Sequence, residues 1–153
     1  LSPTIHVRAV TPADYDAWRP LWDGYNRFYG RFGPTALPET LTQTTWTRFF
    51  DGYEPMHAFV ALQGERVVGL VHFLYHRSTT LDGPICYLQD LFTSEDARGK
   101  GVGRALIEAV YTHAQAANSA RVYWHTHETN HTAMRLYDSV AEKPGFVMYR
   151  KNV

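Results

Sequence analysis

A single cysteine, Cys86, is present among 153 residues. No intrachain disulfide can form, and no thiolate cluster can hold a metal. Long apolar runs are missing as well. No stretch approaches the ~20 residues a membrane-spanning helix needs, and no leader pattern of basic residues followed by an apolar segment opens the chain. Net charge is also lacking: 15 Lys and Arg balance 15 Asp and Glu. No global field therefore draws the chain to nucleic acid or to an anionic membrane. Internal repeats and low-complexity tracts are absent. The expectation is one soluble, cytoplasmic domain over residues 1–153, long enough to bury a single core. Cys86 reads as a small strand hydrophobe.

Periodicity supplies the elements. Ile5–Val10 alternates apolar and polar residues as a strand does, and Thr11-Pro12 offers a cap and a first-turn proline for a helix. That helix carries Tyr15, Trp18, Trp22, Tyr25 and Tyr29 along one face. Pro20 inside it is expected to kink or divide it. A loop from Gly30 to Pro38 leads to a second helix through Leu41, Trp46, Phe49 and Phe50. Met56–Leu62 and Arg66–His76 read as a hairpin with its turn at Gln63-Gly64-Glu65, and Pro84–Thr93 as the next strand. From Gly101 to Ala117 a broad apolar stripe (Val102, Ala105, Leu106, Ala109, Val110, His113) marks a helix against a sheet. Arg121–Thr126 is then expected as a strand, Thr129–Val140 as a helix and Phe146–Lys151 as a closing strand. The class is α/β.

The most informative segment is Arg98-Gly99-Lys100-Gly101-Val102-Gly103-Arg104. Alternate glycines let backbone N–H groups approach an anion, and the helix start behind them adds partial positive charge. A dinucleotide fingerprint would need a further glycine at Leu106 or at Arg104, and no Walker loop is present. A nucleotide-binding reading fails on that spacing and on the antiparallel hairpin. Arg98, Gly101 and Gly103 do satisfy R/Q-x-x-G-x-G/A, the coenzyme-A loop of the GNAT superfamily of N-acetyltransferases, which this segment resembles. Tyr87-Leu88-Gln89-Asp90-Leu91-Phe92-Thr93 before it and Asn130-His131-Thr132-Ala133-Met134-Arg135-Leu136-Tyr137 after it resemble the diamine (spermidine/spermine-type) branch. The resemblance covers about Tyr87 to Tyr137 and, more loosely, the first strand and helix.

The resemblance implies a GNAT fold: a mixed, mostly antiparallel sheet with helices on both faces and a coenzyme-A-binding splay between the 87–93 and 121–126 strands. It implies acetyl-CoA as cosubstrate and no metal. Leu91, Phe92 and Thr93 would offer backbone groups to the pantetheine arm, with an N–H near Leu91 facing the thioester carbonyl. Gly99, Lys100, Gly101, Val102, Gly103 and Arg104 would hold the diphosphate, with Arg98, Lys100 and Arg104 adding charge. Asn130 would bind the cosubstrate, or serve as a plain helix cap. Tyr137 would protonate the departing thiolate, or be a core aromatic. A phenol near ~10 donating to a thiolate whose acid is near ~8.5 is uphill by about 2 kcal/mol, so a hydrogen bond to sulfur is the alternative to full proton transfer.

One residue departs from the diamine pattern. Gln89 stands where that branch tends to place a glutamate, and an amide is no base at neutral pH. Solvent, Asp90 or a nearby histidine must then receive the proton of the substrate ammonium. Asp90 would point to the opposite face from Gln89 unless a bulge intervenes. Tyr25, Phe28 and Tyr29 on the first helix, with His125 and His127 beyond the later strand, are candidates for the acceptor side. His125, His127 and His131 are too weakly supported for a zinc site. Asp138–Pro144 lengthens the connection to Gly145-Phe146, and terminal strands there often mediate GNAT dimers, so a homodimer is expected. The leading reading is an acetyl-CoA-dependent N-acetyltransferase with direct attack by a small-molecule amine in a ternary complex. The alternatives are an acetyltransferase of protein lysines or N-termini and a catalytically weak acyl-CoA-binding regulatory module.

Overall fold

Period-two alternation in the first strand and the hairpin becomes a ladder. In the computed structural model, which describes residues 4–153, β1 (Ile5–Ala9) pairs antiparallel with β2 (Met56–Gln63). β2 turns through Gly64 into β3 (Arg66–His76), and β3 pairs antiparallel with β4 (Ile85–Thr93). β5 is Val122–Tyr123 alone. It lies parallel to β4, opposite Cys86 and Tyr87. The order β1-β2-β3-β4-β5 gives one mixed sheet.

Helices cover both faces. On one lie α1 (Tyr15–Phe28) and α2 (Glu39–Arg48), where Trp18, Leu21, Trp22 and Trp46 pack with Leu70 of β3. On the other, α3 (Val102–Ala116) buries Val102, Leu106, Ile107 and Val110 against Val68, Val71, Phe73 and Leu88. α4 (His131–Val140) flanks α3, and the Tyr111 hydroxyl donates to the Val140 carbonyl at 2.8 Å. Gly69 sets how closely α3 sits on the sheet, since a Cβ there would meet Val102 Cγ1 at 2.8 Å. Cys86 is fully buried, and burial pushes its thiol up to about 11, as suits an inert strand residue.

Four expectations need correction. Pro20 does not divide α1. It is exposed, so the Asp16 carbonyl that loses its helical donor can turn to water instead. α2 ends at Arg48, leaving Phe49 and Phe50 in the turn that follows. The Arg121–Thr126 strand shrinks to two residues because its chain diverges from β4 after Tyr123. The closing strand over 146–151 does not form: Phe146, Val147, Met148 and Tyr149 are all exposed. Strand propensity cannot act without a ladder partner, and β5 is too short to provide one.

The start of α1 is tied to the sheet by charge. Arg8 Nη1 and Nη2 donate to the two Asp14 carboxylate oxygens at 2.7 and 2.9 Å, and the Thr11 N–H donates to Asp14 at 2.7 Å. The Arg8 hydrogen bond outweighs burial and holds the Asp14 carboxyl down at about 2. A carboxyl depressed on folding contributes stability above its unfolded value near ~3.9 and loses it as pH falls through its folded value. Asp14→Asn should therefore lower the unfolding free energy by about 1–2 kcal/mol at pH 7. Urea denaturation should show the gap from wild type closing as the pH is taken from 4 down to 2.

Candidate active site

The site begins with a miscounted ladder. His72 of β3 faces Asp90 of β4 and Phe73 faces Leu88, so Gln89 has no partner. This bulge sends Leu88 into the core under α3 while Asp90 turns to the α1 face. The opposition expected between Gln89 and Asp90 is thereby removed. Both line one cavity of about 390 Å³, together with Trp22, Asn26, Arg31 and His72.

Asp90 is buried and held by a chain of donors. The Trp18 indole N–H donates to His72 Nε2 at 3.0 Å. An indole can only donate, so the neutral imidazole carries its proton on Nδ1, which donates to Asp90 Oδ2 at 2.9 Å. Three elements (α1, β3 and β4) are joined through this one line. Burial, and then the adjacent Asp90 charge, push the Tyr25 phenol above its ordinary value. Sequence reasoning singled out Asp90, Gln89 and Tyr25 here and missed His72, Trp22, Asn26 and Arg31. A histidine inside the apolar run from Val67 to Tyr75 was the available signal for His72.

Beside the cavity, β4 has an open edge. Its ladder with β5 ends at the Tyr87–Tyr123 pair, so a gap opens along Leu88 to Thr93. The Ser94 N–H donates to the Val68 carbonyl of β3 at 2.8 Å. By strand alternation the N–H groups of Leu91 and Thr93 point the other way, into the gap. Phe92 turns to the α1 side instead and packs with the tryptophan cluster.

The glycine segment follows at once. Gly99 and Gly101 have φ of +76° and +86°, and a Cβ at either would meet open space. Backbone conformation, and not crowding, requires glycine there. Gly101 opens α3 with no side-chain cap, so the N–H groups of Val102, Gly103 and Arg104 lack intrahelical acceptors. Gly103 is glycine for another reason: a Cβ there would lie 3.1 Å from Leu136 of α4. The basic side chains stand around this cradle already engaged. Arg98 donates to the Thr93 carbonyl, Lys100 to the Asp96 carbonyl and Arg104 to Ser139 Oγ. An uncapped helix start with free space beside two left-handed glycines fits the diphosphate of acetyl-CoA.

A second cavity of about 420 Å³ lies at the start of α4, lined by Phe28, Tyr29, His127, Thr129 and Asn130. Asn130 occupies the cap position of α4, but its amide donates to Thr126 instead of capping the helix. His127 Nδ1 lies 2.7 Å from the Thr129 hydroxyl, and His125 bonds the Tyr87 hydroxyl at 3.3 Å. The expected acceptor residues thus divide, with Gln89 and Tyr25 around Asp90, Phe28, Tyr29 and His127 at the start of α4, and His125 against Tyr87 and Tyr123. Tyr137 is half-buried, its ring edge-on to Trp124 at 5.4 Å. Burial, and next the Tyr29 hydroxyl, push its phenol above the ordinary value. Among the described residues no group of three His, Cys, Asp or Glu is placed to hold a metal ion, and no helix is long and apolar enough to cross a membrane.

Comparison with known proteins agrees with this architecture. The sequence profile of the Acetyltransferase (GNAT) family matches residues 18–141. The chain is 37% identical over 150 residues to the D-amino-acid N-acetyltransferase of Saccharomyces cerevisiae, covering 97% of this chain and 91% of that one. It is 31% identical over 85 residues to the thialysine N-epsilon-acetyltransferase of Caenorhabditis elegans, covering 56% of this chain and 52% of that one. The crystal structure of a probable acetyltransferase superposes with a TM-score of 0.83 at 22% identity, covering 97% of both chains, and so shares the fold.

The tautomer assigned to His72 is open to direct measurement. Long-range ¹⁵N–¹H NMR of the wild type should show an Nδ1-protonated, neutral imidazole. Trp18→Phe should remove the donor to Nε2 and cost about 1–3 kcal/mol in denaturant unfolding, as expected for a buried polar partner left unmet.

Proposed function

The chain belongs to the acetyltransferase (GNAT) family, and from that premise we propose that it moves an acetyl group from acetyl-CoA to the primary amine of a small molecule. The family uses acetyl-CoA, whose thioester supplies an activated acyl carbon. The observation that carries the reading is adjacency. One stretch of β4 presents Gln89 and Asp90 to a concave cavity and, directly after them, the Leu91 and Thr93 N–H groups to the open gap. Donor and acceptor are thereby brought to the two sides of a single strand.

In this mechanism the uncapped start of α3, with Gly99 and Gly101, holds the diphosphate. The Leu91 N–H faces the thioester carbonyl and favours negative charge on its oxygen, while the Thr93 N–H holds the pantetheine arm in the gap like an added strand; Phe92, turned to β3 and α1, backs that strand from behind. Asn130 closes the cosubstrate site at the start of α4. On the acceptor side, Asp90 and Gln89 receive the ammonium. Asp90 orients the ammonium, and its first proton leaves through water. The amine nitrogen then bonds to the acetyl carbon, and the C–S bond breaks with its electron pair on sulfur. The second amine proton ends on that thiolate. Tyr137, raised and therefore protonated across the working range, steadies the sulfur by a hydrogen bond. Phe28, Tyr29, His125 and His127 flank the entrance.

A small acceptor suits a cavity of this size better than a protein chain does, and two relatives are named for amino-acid acceptors. Gln89 in place of a glutamate argues against the diamine branch. We also propose that the chain works as a homodimer. Phe146, Val147, Met148 and Tyr149 are apolar, and each is more than half exposed. A second copy is the occupant chosen, since the same segment of another chain offers the ladder partner that β5 cannot. Light scattering should give twice the chain mass, and a chain ending at Gly145 should run as a monomer.

Two measurements check the transferase itself. Acetyl-CoA at about 100 times its Kd should add ~2.7 kcal/mol to stability, and free thiol should be released across a panel of small amines. Tyr137→Phe should lower kcat at least tenfold, a loss of about 1.4 kcal/mol or more in transition-state stabilisation, while KM for acetyl-CoA hardly changes. In the wild type, kcat/KM should rise with pH toward the pKa of the amine without a fall from Tyr137 ionising. Binding of acetyl-CoA with no thiol release from any amine would favour a regulatory module.

A further inference from the structure

The acceptor cavity is lined by charges of both signs, and the amine uses only one of them. In the same lining, Asn26 of α1 is 4% exposed. Its amide N–H donates to the Trp22 carbonyl at 2.9 Å, and its Oδ1 accepts the Arg31 Nε–H at 2.7 Å. Its backbone carbonyl also accepts the Arg31 N–H at 2.9 Å. A buried asparagine thus fixes Arg31 at both its backbone and its guanidinium. The guanidinium carbon lies 5.7 Å from the Tyr25 ring centre and 5.3 Å from that of Tyr29, which confines it further.

What is held so firmly is left unanswered. Among the described residues, Arg31 makes no ion pair, and neither Nη group has a protein acceptor. A second donor in the same wall is also unmet, and is fully buried where Arg31 is half-buried. Trp22 is 7% exposed, lines the cavity, and its indole N–H is buried with no partner. Buried donors are almost always met, and a planar guanidinium fork matches a carboxylate with two parallel hydrogen bonds. The same lining also holds the opposite functions, the Asp90 carboxylate and the Gln89 amide oxygen.

We infer that Arg31 and Trp22 receive the carboxylate of an amino-acid acceptor, whose ammonium is directed to Asp90 and Gln89. This deepens the acetyltransferase reading and rests on it. A zwitterion satisfies both charges together. A diamine would bring a second cation against Arg31, and a simple amine would leave the fork and the indole unmet. Arg31 and Trp22 are therefore specificity-determining residues and take no part in bond making.

The test compares one side chain in three forms: phenylalanine in both enantiomers, its carboxamide and phenethylamine. With the wild type, the preferred enantiomer should exceed the other two forms in kcat/KM by about 10- to 100-fold, the range of one charge-assisted hydrogen-bonding pair. Arg31→Gln and Trp22→Phe should each raise KM for the amino acid while moving KM for acetyl-CoA and for the carboxamide less than about threefold. Equal use of acid, amide and amine by the wild type would overturn the inference and leave the transferase standing; this arm needs no variant to fold. Variants that lose acid and amide alike would overturn it too, since the residues would then only shape the cavity. Failure of acetyl-CoA to bind, with no thiol release from any of the three, would remove the transferase reading itself.

Discussion

A carboxylate leaves water only where other donors replace it, and the burial of Asp90 organises this molecule. Its donor is His72, and His72 can donate from Nδ1 because Trp18 already occupies Nε2. Trp18 reaches that nitrogen only if α1 lies flat on the sheet with its aromatic face inward. The same registration stacks Trp22 against Trp18 and Tyr25 against Trp22 along the helix. One buried charge thus aligns a helix, two strands and the wall of the cavity. The hydrophobic face of α1 would pack on almost any sheet; the hydrogen-bonded chain selects where along it.

Much of this was legible in the sequence, for reasons that can be traced. The hairpin from Met56 to His76 and the helix from Gly101 show strong periodicity, and both form as expected. The glycine segment was legible because its requirement is local: left-handed backbone at Gly99 and Gly101 before a helix start. Asp90 was visible as a residue but its direction was not, since a bulge leaves no mark in a single sequence. Arg31 was missed because its partner Asn26 sits on the buried side of a helix among larger aromatics. The segment after Gly145 misled for the opposite reason. Phe146 to Tyr149 has the composition of a strand, and composition says nothing about whether one chain supplies a neighbour to pair with.

The proposed binding of acetyl-CoA would bring several negative charges to a chain with no net charge and no basic surface. Backbone N–H groups at the start of α3 provide fixed partial charge, while Arg98, Lys100 and Arg104 are tethered to nearby oxygens at its margin. The helix dipole needs no reorganisation when an anion arrives. Local geometry replaces bulk electrostatics.

Gln89 is surplus to the sheet. Remove it, and Leu88 and Asp90 would follow each other opposite Phe73 and His72 in an unbroken ladder, each still on its present face. The shorter chain would be the more regular protein, with one fewer irregularity for its edge to carry. Keeping the extra residue sets stability against chemistry: a strand one residue too long for its neighbour is bent at the point where the proposed reaction would bring its two substrates together.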